Sequence, residues 1–159
     1  MSTFISNLDV YRAIAEEAAA ESKRLLEAGR RPKPDGQPGY IVTYDPQRKS
    51  FKQSLIAIAF EGMYLEALFG LVGKQKLGKE GYRKIERRKY EAKLERLGVV
   101  DQGILDRCKR FREARNDLVH EDALDLDSSD PAVTRTAQKE AAFGIELVRS
   151  LARILRPGP

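Results

Sequence analysis

The chain contains one histidine, His120, which stands five residues after Arg115 and four after Asn116. An imidazole titrates near neutrality and can take a proton from a hydroxyl. A guanidinium is always charged and offers a planar fork to phosphoryl oxygens. RNA brings its own nucleophile, the 2′-hydroxyl beside the scissile phosphorus. A base and a fixed cation can therefore support transesterification, with His120 as the base and Arg115 meeting the developing charge. Asn116 would hold the phosphate or orient the imidazole. That scheme calls for no metal and no cofactor. The same residues also allow quieter roles. His120 could cap the last carbonyls of a helix. Arg115 could run its stem along apolar surface into solvent, or pair with Glu61 or Glu66.

These residues close a helix-patterned stretch that opens at Asp101, the expected N-cap, and continues to about His120. Ile104, Cys108, Phe111, position 115 and Leu118 form one stripe, and Arg115 interrupts it with a charge. Around a regular helix Asn116 and His120 lie about 40° apart, whereas Arg115 and His120 lie about 140° apart. One straight helix cannot aim both at a single atom. Either the helix frays near His120, or a second copy completes the site. The stripe also offers a seam for a partner helix, so a symmetric homodimer through this helix is expected.

The elements that must position the motif read as helical almost throughout. Apolar and alanine positions recur at helical spacing from Leu8 to about Ala28, and Gly29 ends the pattern. Residues 30–47 hold four prolines and two glycines and read as a loop. Within it Tyr40–Tyr44 could be extended, but a lone strand would have nothing to pair with. Residues 51–72 are apolar nearly all round, the mark of a central, buried helix. A basic helix is expected from about Gly78 to Leu97, capped by Gly98, and a last helix from about Ala132 to Leu155, with a short tail at 156–159. The expectation is one all-α domain over residues 1–159, a bundle of about five helices.

Composition narrows the field further. The chain has 159 residues, one domain's worth. A single cysteine, Cys108, excludes an internal disulfide framework, and one Cys with one His cannot make the usual four-ligand zinc site. Cys108 sits on the apolar stripe and reads as a core residue. No uninterrupted apolar run reaches the roughly 20 residues of a membrane span, and the N-terminus lacks a signal-peptide layout, so no membrane association and a cytoplasmic location are expected. The net charge is +5, compatible with a polyanionic partner such as RNA. Basic residues crowd Lys74–Arg96 and Arg107–Arg115, while Glu121–Asp130 is acidic. Arg87, Arg88, Lys109 and Arg112 are the candidate substrate contacts, and Tyr82 and Tyr90 stand among the basic residues as candidate base-stacking rings.

The run Arg115-Asn116-Asp117-Leu118-Val119-His120 resembles the Arg-x(4–6)-His motif of HEPN domains, small helical bundles of which many are metal-independent ribonucleases. A polar residue directly after the arginine, the place of the motif on a penultimate helix, and the preceding apolar segment Phe60–Phe69 strengthen the likeness, which spans roughly Leu8 to Leu155. The resemblance implies a homodimer with facing motif helices and one composite cleft. It also implies an endoribonuclease acting as toxin or effector of a toxin–antitoxin or defence system, with RNA as substrate and an antitoxin as a further partner. The other function it allows is a non-catalytic module that binds RNA or nucleotide, or pairs as a scaffold. One large toxin branch carries a tyrosine two residues after the histidine; Asp122 stands there in this chain.

Overall fold

A computed structural model describes residues 7–42, 45–119 and 131–156. Five α-helices are present among them: α1 (Leu8–Ala28), α2 (Lys49–Arg83), α3 (Tyr90–Arg96), α4 (Gln102–Val119) and α5 (Pro131–Leu155). The all-α bundle expected from periodicity is the fold observed. α2 runs through the middle. Ile58, Leu65, Leu68 and Phe69 on it are fully buried, as are Phe111 of α4 and Leu147 and Leu151 of α5.

Local chemistry sets the helix ends. α1 occupies the predicted Leu8–Ala28 and stops at Gly29. The Asp45 carboxylate accepts bonds from the Ser50 and Phe51 amides at 2.8 and 3.1 Å, satisfying donors that the first turn of α2 leaves free. Asp101 caps α4 as expected, its Oδ1 accepting from the Ile104 amide at 3.0 Å. After α3 the chain turns through Gly98 at φ 91°, a conformation that glycine adopts without strain. There the Val99 amide donates to Leu94 O and the Gly98 amide to Glu95 O, a Schellman close. Ser22 and Ser54 hydroxyls meet at 2.7 Å and Gln138 donates to Ser50 at 2.7 Å, tying α1 and α5 to α2.

Three expectations are corrected. The basic stretch 78–97 is not one helix: α2 continues to Arg83 across a break at Gly78 (φ 71°, ψ 170°), residues 84–88 turn, and α3 begins at Tyr90. Two poor helix formers, Gly78 and Gly81, and the crowding of Arg83, Lys84, Arg87, Arg88 and Lys89 weaken a continuous helix there. The extended piece at Tyr40–Val42 does have a partner, because the chain doubles back and pairs it antiparallel with Arg30–Pro32. Thr43 and Tyr44 lie outside the described residues. Finally, the α4 stripe is not an open seam. Cys108, Phe111 and Leu118 are buried within this one chain, in the same core as α2 and α5 residues.

By length and mean hydropathy, 1.8 over an 18-residue window, α2 could cross a membrane. Half of that window is buried inside the bundle, as in the core helix of a soluble protein.

Candidate functional site

Arg115 is half-buried on α4 and lies in a notch that Gly62 opens in α2. A β-carbon at position 62 would collide with its Nε, and the Cδ and Cζ would be only 2.6 and 2.7 Å away. The close approach of the two helices at this point therefore requires glycine. Arg115 Nη1 donates to the Tyr90 hydroxyl at 3.2 Å, while Nε is buried without a partner. Nη2 makes no hydrogen bond among the described residues. Neither Glu61 nor Glu66 forms an ion pair with Arg115.

Tyr90 is the residue that fixes this arginine, and its surroundings explain why it stays a neutral phenol. Burial pushes its pKa up; Arg115 pulls it down, and Glu66 raises it again. Its ring stacks edge-on against Phe69, with centroids 5.4 Å apart. The buried Lys93 ammonium lies 5.9 Å over the same ring and reaches Glu66 at 2.8 Å. α3 thus brings a phenol and a lysine against α2, and the phenol holds the arginine of α4. Tyr90 is 3% and Tyr82 4% exposed, which withdraws both rings from base stacking.

The remaining predicted contacts are dispersed. Arg112 makes a two-pronged pair with Glu91, at 3.1 and 3.3 Å, clamping α4 to α3. Burial acts to raise the Glu91 carboxyl, but the Arg112 hydrogen bonds and charge bring it below its ordinary value. Lys109 is exposed on α4, and Arg87 and Arg88 are exposed in the turn before α3. Asn116 is half-buried, with no side-chain hydrogen bond among the described residues. His120 lies outside the described residues, as does the acidic stretch 121–130. Cys108 is fully buried; burial first, then Glu91, pushes its thiol up to about 12, far from thiolate reactivity.

A second buried group, offered by the sequence only as an ion-pair partner for Arg115, stands apart from it. Glu61, next to the notch glycine, is wholly buried, and both of its carboxyl oxygens lack partners. It packs against Gly144 and Phe111. Burial and then the neighbouring Glu140 push its pKa well above the carboxylate range. An unpaired ionised carboxyl would be costly in such a place, so burial favours the protonated form of Glu61. Glu140 itself is tied to Arg110 at 2.6 Å, and the Arg110 guanidinium stacks 4.0 Å from the Phe143 ring. The available signal was a Glu-Gly pair inside an apolar helix; Tyr90 gave none beyond its place in a basic run.

Comparison with known protein families, with curated proteins and with solved structures finds no match to this chain.

Proposed function

We propose that the protein is a metal-independent endoribonuclease of the HEPN type, acting in the cytoplasm as the toxin or effector of a toxin–antitoxin or defence system. One observation carries the reading: the arginine of the Arg115–His120 motif sits in a glycine notch, steered by a neutral phenol, with one arm of its fork unbonded among the described residues. A cation fixed in advance costs no reorganisation when charge develops on a phosphoryl group. His120 supplies the base, Asn116 a neutral polar contact, and the exposed Lys109, Arg87 and Arg88 a diffuse attraction for RNA.

Two copies complete the site in this reading. With the α4 stripe covered, a surface available for pairing is the outer face of α2, where Ile56 and Met63 are 39% and 38% exposed. Lys52 and Glu66 lie at equal sequence distances on either side of Ala59. A two-fold axis crossing at Ala59 sets two α2 helices antiparallel, with Lys52 of each opposite Glu66 of the other.

Incubating the purified protein with total RNA in EDTA and mapping the ends tests the reading. New 5′-hydroxyl ends from wild type and none from His120→Ala support it. Equal cleavage by both, or none by either, hands the site to the second reading, a non-catalytic RNA-binding or scaffold module. The tie from Arg115 to Tyr90 suits that reading too, since a structural arginine would make it.

A further inference from the structure

Between α1 and α5 runs a groove of about 660 Å³ whose floor is made of small and aliphatic side chains: Ala19, Ala20, Leu26, Ala141, Ala142 and Ile145. Its rim is basic. Lys23, Arg30, Arg135, Lys139 and Arg149 stand around it against Glu16 and Glu146. Arg149 also borders a second recess, of about 470 Å³, which adds Arg12, Arg153 and Arg156 and no further acid. Eight cations against two carboxylates line the two recesses.

The internal pairs do not quench this excess. Glu16 serves Arg12 at 3.2 Å and Arg149 at 3.6 Å, Glu146 serves Arg149 at 2.9 Å, and Glu27 serves Lys23 at 3.9 Å. Arg135, Lys139, Arg153 and Arg156 have no carboxylate partner among the described residues. Arg149, Arg153 and Arg156 also follow one another at helical spacing on α5, where like charges repel. Folding alone gives little reason for this arrangement.

From the apolar floor and the unquenched rim we infer that the groove docks an amphipathic helix of a protein partner, apolar along one face and carboxylate-rich on its flanks. The alanine floor lets a helix axis come close, since interaxial distance follows the side chains at the contact. From Arg135 to Leu155, α5 is about 30 Å long, room for roughly twenty helical residues. Nucleic acid fits less well. No aromatic ring lines either recess, so bases would have no platform, and an alanine and isoleucine floor would go unused.

The inference is independent of RNA cleavage and is tested on the full chain. The probe is a labelled twenty-residue synthetic helix with leucine at i, i+3, i+4 and i+7 and glutamate elsewhere. Its comparators are the same peptide with lysine for glutamate, a single-stranded RNA 20-mer, and dodecanoate. Fluorescence anisotropy should show the glutamate peptide binding at least about a hundredfold more tightly than the lysine peptide. Ala142→Tyr, which places a ring on the exposed part of the floor, and the double variant Arg135→Glu/Lys139→Glu should each weaken it by about tenfold or more. Ala20→Tyr repeats the floor test from α1 should Ala142→Tyr lose its helical circular dichroism. RNA cleavage should be unchanged in the floor variants. Failure of the glutamate peptide to bind at about 100 μM overturns the inference, as does equal binding of the lysine peptide. So does a groove that Ala142→Tyr closes to RNA or dodecanoate but not to the peptide.

Discussion

Arg115 bears on both stability and activity, because the same side chain is half-buried against α2 and keeps one nitrogen unbonded among the described residues. Its removal should therefore separate stability from activity. Arg115→Ala deletes a buried, unpartnered Nε, so thermal melting should stay within a few degrees of wild type. RNA cleavage should fall by about 10²-fold or more, and His120→Ala should fall as far, because one loses charge stabilisation and the other the base. Asn116→Ala should lose less, since it positions and transfers no proton. Melting curves and initial rates on one RNA check all three. Glu61 makes a different prediction. Its folded pKa lies above its unfolded value, so its contribution to stability is full below about pH 4.5 and is lost as pH rises through the folded value. Glu61→Gln removes that loss. The melting temperature of the variant relative to wild type should climb from pH 5 to pH 8; a constant difference would mean that Glu61 is ionised in the folded chain.

Among the elements, the helices were legible where the sequence speaks with local chemistry. α1 ends at its glycine, α4 starts from its aspartate, and Gly98 closes α3, because caps depend on a few adjacent residues. What depended on contacts distant in the chain was not legible. The pairing of Tyr40–Val42 with Arg30–Pro32 and the burial of the α4 stripe by α2 and α5 are tertiary outcomes. The candidate site divides the same way: Arg115 was readable as a charge in an apolar stripe, whereas its phenol and its notch come from α3 and α2. Gly62→Ala tests whether the notch matters. The added carbon must displace the arginine, while alanine gains about 1 kcal/mol of helix propensity to offset the disturbance. Stability should change little and cleavage should drop by about tenfold or more. Wild-type cleavage by this variant would show that the placement of Arg115 is incidental.

At the scale of the whole molecule, one chain brings a fixed cation, and the proposed cleft needs a second copy to bring the base within reach of it. Met63→Lys puts a charge on the exposed α2 face and should give a monomer by light scattering at micromolar concentration, with the helical spectrum intact and cleavage reduced. A variant that stays dimeric would move the interface elsewhere. The most direct measurement of the central claim uses two RNA oligonucleotides of one sequence, one natural and one methylated at every 2′-hydroxyl, each incubated with the protein in EDTA. The account predicts cleavage of the natural strand alone, leaving a cyclic or 3′-phosphate and a 5′-hydroxyl, and no products from His120→Ala. Cleavage of the methylated strand, or activity that EDTA abolishes, would contradict it.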